Sequence, residues 1–327
     1  MNGEMAAIAR LAAMLRRPPA GEVWIGDDTA VVGAPRGWLL LAADTVVEGV
    51  HADLSLTGLD DLGWKAMAAN VSDVAAMGGR PGHALVTVAG PVGTDLDLLY
   101  EGIRAAAEAY QCPVVGGDLV SSPVLVVTVA VTGSVEGTPV PRSGATAGEG
   151  IWVTGPLGGS AAGLRLLREG SGKGATASFE ADAAPRAPQP GTEGAPRLLL
   201  EAAAARIADH ARPRAQVAEG TAARVGGATA MIDVSDGFAA DLVRLADASA
   251  VGVEIDTVPV AEGATLDEAL GGGEDYRLVF TAPDPEAVAV AFASLSAPVR
   301  VGTCVADPRR RRLAGRPLIT AGWEHPW

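Results

Sequence analysis

Aspartates that follow short apolar runs are the feature that most constrains the fold of this chain. The stretch "AMIDVSDGF" places Asp233 and Asp236 three positions apart after a strand-like segment. The same pattern recurs at Asp27, Asp28, Asp44, Asp73 and Asp118. A carboxylate at the edge of a core is costly unless it is paired or bound to a cation. We therefore expect a fold that brings these runs together so that their aspartates converge.

Converging carboxylates would repel one another strongly without cations between them. Oxygen ligands without neighbouring histidine or cysteine favour hard ions, which predicts Mg²⁺ rather than Zn²⁺. Mg²⁺ held by carboxylates commonly has a phosphate as its other ligand. For Asp233 and Asp236 alone, helix capping by Ser235 or Asp236 is the alternative, because "SDGFAADLVRLADAS" has helical apolar spacing after cap-type residues. The recurrence of the pattern favours the metal site.

The composition restricts the class of partner. At 327 residues the chain is long enough for two domains. A net charge of −14 argues against nucleic acid, and we interpret the basic run at 309–312 as a solvated turn. Two distant cysteines, Cys112 and Cys304, favour a reducing, cytoplasmic location. The N-terminal segment is typical of an amphipathic surface helix, and no apolar run reaches about 18 residues, so we expect no membrane span.

Strand-like and helical runs alternate along the chain, which predicts two α/β domains. The first is expected over residues 1–140, and the second over 141–327, after the hinge-like stretch "PVPRSGATAGEG". Residues 168–197 are rich in Gly, Ala, Pro and charge and are predicted to form a mobile loop, since they lack apolar periodicity. The tripeptide "VSD" occurs in both halves, which duplication and coincidence explain equally well.

Two glycine-rich stretches do not fit known nucleotide-binding motifs. In "GSGKGAT", Leu167 stands where a phosphate loop needs its first Gly, and Gly174 follows Lys173 where Ser or Thr is needed. The stretch "VTGPLGGSAAGL" follows a strand, but its glycines do not have the dinucleotide spacing. We therefore expect neither a Walker site nor a nicotinamide or flavin site.

Read in order, the motifs resemble those of the thiamine-monophosphate kinase family, which shares a superfamily with aminoimidazole ribonucleotide synthetase and selenophosphate synthetase. The matching stretches are "GDDTAVV", "DTVVEGVH", "GWKAMAANVSDVAAMGGRP", "VVGGD", "PRSGATAGEGIWVTGPLGGSAAGL", "MIDVSDG", "GGGEDYRL" and "GWEHPW". The resemblance implies an α/β (α+β), two-domain aminoimidazole ribonucleotide synthetase-like fold. Its N-terminal mixed-sheet domain would dimerise, and its C-terminal domain would be α/β.

The resemblance also implies ATP-dependent phosphorylation of thiamine phosphate to thiamine diphosphate by direct in-line, Mg²⁺-assisted transfer in a homodimer. The implied Mg²⁺ ligands are Asp28, Asp44, Asp73, Asp118, Asp233 and Asp236. The implied ATP contacts are Tyr110, Gly117, Asp118, Arg142 and Ser235. The implied contacts to thiamine phosphate are His51, Glu274 and Trp323. A phosphate acceptor is ionised near pH 7, so no catalytic base is expected.

The chain departs from the family pattern at five positions. Ala42 and Ala43 stand where hydroxyl residues are usual, Leu119 and Val120 where Thr is usual, and Arg277 where Glu is common. Two alternatives therefore remain open: a superfamily relative acting on another small-molecule acceptor, or a non-catalytic nucleotide-binding module.

Structural roles are the alternative for three of the implied contacts. His51 could be a solvated loop residue, Tyr110 a core ring and Trp323 a packing anchor.

Overall fold

The computed structural model describes residues 4–25, 29–171 and 194–324. Its helices are α1 Glu4–Met14, α2 Leu59–Ala76, α3 Leu96–Ala109, α4 Gly159–Gly170, α5 Gly194–Ala211, α6 Val217–Val225, α7 Phe238–Ala248, α8 Leu266–Gly271 and α9 Pro285–Ala291. Its strands are β1 Trp38–Val47, β2 Arg80–Gly90, β3 Val114–Ser121, β4 Val126–Val135, β5 Gly150–Val153, β6 Ala230–Asp233, β7 Gly252–Ile255, β8 Leu278–Ala282, β9 Val299–Val305, β10 Arg311–Leu313 and β11 Arg316–Pro317. None of the helices in this part of the chain is long and apolar enough to cross a membrane.

The first sheet is mixed, as predicted, with the strand order β1-β4-β2-β3. Strand β4 pairs antiparallel with β1 and β2, whereas β3 runs parallel to β2. Alternate residues of β4, including Val127, Val129 and Val131, are buried. This period of two is typical of a strand with one face against the core.

Helix α2 covers the core face of that sheet and is buried along most of its length. Helix α3 packs against it at two glycines. A Cβ on Gly102 would lie 1.7 Å from the backbone oxygen of Asp60, and one on Gly63 would lie 2.2 Å from that of Leu99. Glycine is required at both positions because no side chain fits between the two backbones, and this close contact fixes α2 between the sheet and α3.

The second sheet has the order β11-β10-β7-β9-β5-β8-β6 and is antiparallel except where β10 lies beside β7. Helix α7 packs on it through Phe238, Leu242 and Leu245, which lie on one helical face and are fully buried. Burial of each such side chain contributes roughly 1.5 to 3 kcal/mol.

The two halves of the chain meet along α2, which contacts β6 and α6 as well as the first sheet. A third apolar cluster joins them, in which Ala76 of α2 shares a core with Met231 and Phe280 of the second sheet. Cys112 and Cys304 are free and buried. Because α2 is common to both halves, its polar residues lie at the junction.

The predicted relation between aspartates and strand ends is wrong at Asp44, Asp73 and Asp118. Asp44 lies within β1 and Asp118 within β3, because both strands continue to pair beyond the aspartate. Asp73 lies inside α2, and among the described aspartates of the pattern only Asp233 ends a strand.

The two ends of the segment predicted as a loop at 168–197 are helical. Helix α4 continues to Gly170 because the apolar spacing of "GLRLL" carries the helix through its last turn, and α5 begins at Gly194. The prediction for residues 172–193, like the one for Asp28, falls outside the described residues.

Candidate active site

Four of the predicted metal ligands lie around one cleft between the two sheets. Asp44 extends from β1, Asp73 from α2, and Asp233 and Asp236 from the end of β6 and the following loop. The charge of Asp73 acts on those of Asp233 and Asp44, and the charge of Asp44 on that of Asp236. A cavity of about 570 Å³ is lined by Asp73, Asp233 and Arg142 and by an apolar wall. The predicted convergence of these four carboxylates is therefore present.

Asp73 and Asp233 share surroundings that are unfavourable for two ionised carboxylates. Desolvation raises the pKa of Asp73 to about 8, with repulsion from Asp233 and Asp44 adding to it and Arg142 opposing it. Desolvation also raises the pKa of Asp233 to about 6, although Ser72 Oγ donates a hydrogen bond of 2.6 Å to it. A cation placed between them would offset both the burial and the repulsion.

Asp44 is fixed from the helix side of the sheet. Its backbone N–H donates to Asn70 Oδ1 of α2 at 2.7 Å. Desolvation raises the pKa of Asp44, while the nearby His51 lowers it and Asp236 raises it. His51 Nδ1 accepts a hydrogen bond of 3.1 Å from the N–H of Val47, so this predicted acceptor contact lies beside Asp44.

The loop after β6 is organised by Asp241, which lies in the first turn of α7. Asp241 Oδ2 accepts from the N–H groups of Ser235 at 3.1 Å, Asp236 at 3.0 Å and Gly237 at 3.2 Å. Arg244 forms ion pairs with both Asp241, at 2.6 Å, and Asp236. The capping alternative for Ser235 and Asp236 is wrong, because the N-cap of α7 is Gly237 and it has no side-chain cap bond.

Glu274 and Trp323 flank that same loop. The N–H of Glu274 donates to Ser235 O at 2.8 Å, and the N–H of Trp323 donates to Asp236 O at 2.9 Å. The carboxylate of Glu274 accepts a hydrogen bond of 2.8 Å from Lys65 Nζ of α2. Trp323 is about half exposed. Two predicted contacts to the acceptor therefore lie next to the loop that carries Asp236.

Asp118 lies on the opposite edge and the opposite face of the first sheet from Asp44. Across the four strands, one row of paired residues runs Asp118, Thr87, Thr128 and Thr45. Three strand spacings of about 4.8 Å place Asp118 roughly 14 Å from the β1 edge. Asp44 is paired with the buried Val129 and so lies on the core face of the sheet, whereas Asp118 lies on the other face. Within one chain, Asp118 is therefore separate from the other four aspartates.

Two further predicted ATP contacts, Tyr110 and Gly117, lie in the first half of the chain. Tyr110 caps the C-terminus of α3, and its hydroxyl accepts a hydrogen bond of 3.0 Å from the N–H of Ala215. Desolvation raises the pKa of Tyr110 to about 12. Gly117 lies in β3, where a Cβ would come within 1.8 Å of Val86 O, so the strands require glycine there. Arg142 and Ser235, in contrast, lie at the cleft and its adjoining loop.

Within residues 4–25, 29–171 and 194–324, no three His, Cys, Asp or Glu side chains form a ready-made metal site. The donor chemistry nevertheless fits Mg²⁺, because the cleft offers carboxylate oxygens whose pKa values are raised by burial and mutual repulsion. Asp28 would be a further donor, but it lies outside the described ranges.

Five polar residues at the site were not predicted from the sequence. They are Lys65, Asn70, Ser72, Asp241 and Arg244. Lys65 could have been noticed as the one basic residue of the α2 sequence, and Ser72 lies seven residues later on nearly the same helical face. Asn70 has no comparable signal, because its contact with Asp44 depends on how α2 packs on β1.

Both halves of the chain match domains of one known protein family. The N-terminal domain of AIR synthase related proteins matches residues 26–135, and their C-terminal domain matches residues 146–313. The chain is 36% identical over 279 residues to the thiamine-monophosphate kinase of Bacillus subtilis, which covers 81% of this chain and 79% of that protein.

Solved structures give the same grouping. Thiamine-monophosphate kinase from Stenotrophomonas maltophilia superposes with a TM-score of 0.78 at 32% identity, covering 96% of this chain and 97% of that one. AaThiL complexed with AMPPCP and TMP superposes with a TM-score of 0.73 at 31% identity, covering 92% of this chain and 91% of that one.

Proposed function

The chain belongs to the thiamine-monophosphate kinase family of AIR synthase related proteins, and we infer that it transfers the γ-phosphoryl group of ATP to thiamine phosphate, giving thiamine diphosphate. The observation that carries this inference is the carboxylate-lined cleft between the two sheets. A relative with the same fold, AaThiL, forms a complex with AMPPCP and TMP.

Phosphoryl transfer to a phosphate acceptor requires alignment of the two substrates and does not require a strong catalytic base. A phosphate acceptor is ionised near pH 7, so its oxygen can attack the γ-phosphorus directly and in line. The protein must hold two anions close together and balance their charge. Arg142 lies beside Asp73 in the cleft, which supports a role in attracting the nucleotide, and the backbone of Glu274 is hydrogen-bonded to Ser235 of the loop 235–237.

We propose that carboxylates of the cleft bind Mg²⁺, which supplies positive charge to the phosphate oxygens when it is bound. The proposed ligands are Asp28, Asp44, Asp73, Asp118, Asp233 and Asp236. The raised pKa values of Asp44, Asp73 and Asp233 support this role. Asp28 enters on the "GDDTAVV" motif alone.

The other proposed contacts divide between the two substrates. For ATP they are Tyr110, Gly117, Asp118, Arg142 and Ser235, and for thiamine phosphate they are His51, Glu274 and Trp323. The positions of His51 beside Asp44, and of Glu274 and Trp323 beside the loop 235–237, support the acceptor assignment.

We propose a homodimer in which Asp118 reaches the cleft of a second copy. Asp118 cannot reach its own chain's Asp44 from the opposite edge and face of the sheet. The face that carries Asp118 also exposes Leu39, Leu41, Leu85 and Val120, each at least 46% accessible. An exposed apolar sheet face of this kind favours pairing with another subunit.

Complementation between two inactive variants tests the shared site. Asp118→Asn and Asp233→Asn, co-expressed with different tags, should regain about a quarter of wild-type activity, because half of the dimers then contain one intact site. Each variant alone should be inactive. A mixed dimer without activity would place Asp118 in its own chain's site, and a monomer in light scattering would exclude the dimer.

The activity itself is tested by incubating the protein with ATP, Mg²⁺ and thiamine phosphate and identifying the product by mass. Thiamine diphosphate and ADP in equal amounts are expected. ATP binding with turnover of a different phosphorylated acceptor would favour a superfamily relative, and ATP binding with no turnover of any acceptor would favour a non-catalytic module.

We propose a cytoplasmic location. Cys112 and Cys304 are free and buried, as is typical of proteins from reducing compartments. Cell fractionation with antibody detection tests this directly.

A further inference from the structure

Lys65 is a buried cation at the junction of the two halves. It lies in α2, is 3% exposed, and its Nζ donates to Glu274 Oε2 at 2.8 Å. Only two of the 25 basic residues of the chain are lysines, the other being Lys173. A lysine presents a compact point charge, whereas an arginine would need room for a planar fork. The site thus contains a small cation in a chain that otherwise uses arginine.

Glu274 is held in an unusual backbone conformation. Its φ of 62° lies in the left-handed region, which non-glycine residues rarely adopt, and Tyr276 two residues later has a φ of 47°. The N–H of Glu274 donates to Ser235 O and that of Tyr276 to Val234 O. These bonds hold the backbone of Glu274 against the loop after β6. The orientation of its carboxylate depends instead on the side chains that contact it.

His210 of α5 lies on the other side of that carboxylate. Its Nδ1 is 3.6 Å from Glu274 Oε2 and 3.0 Å from Ser160 Oγ. Desolvation, followed by the charge of Lys65, lowers the pKa of His210 to about 4, so the imidazole is neutral at pH 7. Among the described residues, the charge of Glu274 is therefore balanced by Lys65.

We propose that Lys65 is a positioning residue that fixes the Glu274 carboxylate for contact with the acceptor. The inference rests on the proposed function, in which Glu274 contacts thiamine phosphate. Lys65 and Asp73 are eight residues apart on one helix, which sets about 12 Å between them along the axis. Helix α2 thus holds Lys65, the partner of Glu274, at a constant distance from Asp73, which is a proposed Mg²⁺ ligand.

The test compares Lys65→Met, Glu274→Gln and the double variant in steady-state kinetics with both substrates. Loss of a charged hydrogen bond should raise the KM for thiamine phosphate about tenfold or more in Lys65→Met, while the KM for ATP changes less than about twofold. In the Glu274→Gln background, Lys65→Met should raise the acceptor KM by less than about twofold, because the group it positions is already altered.

Arg212→Met is the matched control, because Arg212 also joins α2 to the second half, through Asp61 at 2.6 Å and Asp60, without contact to Glu274. It should lower the melting temperature and leave both KM values unchanged. Lys65→Gln serves if Lys65→Met does not fold.

Three results would overturn the proposal: equal rises in both KM values, the same factor in the wild-type and Glu274→Gln backgrounds, or an acceptor KM that rises as much in Arg212→Met. A wild-type protein that makes no thiamine diphosphate would overturn the proposed function and this inference together, whereas the other results leave the proposed function intact.

Discussion

Replacing Asp73 by Asn should make the Mg²⁺-free protein more stable at neutral pH while abolishing Mg²⁺-dependent ATP binding. Desolvation and repulsion raise the pKa of this carboxyl from its usual value of 3.8 to about 8. The folded state therefore binds more protons than the unfolded state between these values. The stabilisation of the folded protein by the proton on Asp73 is fully present below about pH 4 and is lost as the pH rises to about 8.

The size of the stability difference between wild type and Asp73→Asn follows from the pH interval in which the folded protein keeps Asp73 protonated while the unfolded protein does not. From pH 3.8 to pH 7, at about 1.4 kcal/mol per pH unit, wild type loses roughly 4 kcal/mol relative to the Asn variant. For a chain of this size, that corresponds to roughly 5 to 10 °C in melting temperature. The two proteins should be equally stable near pH 4.

The assay is thermal unfolding in EDTA at several pH values, repeated with Mg²⁺ and ATP. Mg²⁺ with ATP should raise the melting temperature of wild type and have little effect on Asp73→Asn, because ligands stabilise only the state that binds them. Asp256→Asn, at an exposed position, is the control and should change neither curve. The reasoning is refuted if Asp73→Asn is no more stable than wild type at pH 7 in EDTA.

One truncation and two substitutions probe individual contacts. Truncation after Ala321 removes Trp323 and should raise the KM for thiamine phosphate by about 2-fold to 30-fold, because the cation–π contact with the thiazolium is lost. The KM for ATP should not change. A parallel rise in both KM values with a lower melting temperature would instead show that Trp323 has a packing role. Tyr110→Phe removes the hydroxyl that accepts from Ala215 and should cost about 1 kcal/mol in urea unfolding, with ATP KM unchanged because the ring remains; unaltered stability would contradict this. Gly117→Ala should markedly destabilise the protein in the same assay, and a well-folded variant would show that β2 and β3 can move apart.

The sequence by itself determined the local elements and the family. The period of two in β4 and the long apolar stretch of α2 are properties of short windows of chain, so they could be predicted without knowledge of the fold. The ordered motifs around Asp44, Asp73 and Asp233 were also sufficient to identify the family, which the comparisons confirmed. The same windows could not show that β1 and β3 continue beyond Asp44 and Asp118, because strand length is set by the partner strands.

Only the tertiary structure decided which side chains act on one another. Lys65 and Glu274 are 209 residues apart in sequence, and Ser72 and Asp233 are 161 apart, so their contacts exist only because α2 packs between the two sheets. The strand order β1-β4-β2-β3 likewise places Asp118 away from Asp44, although both aspartates follow similar apolar runs. A sequence pattern can indicate that a carboxylate needs a hydrogen-bonding or charged partner. The packing of elements that are distant in sequence determines which side chain that partner is.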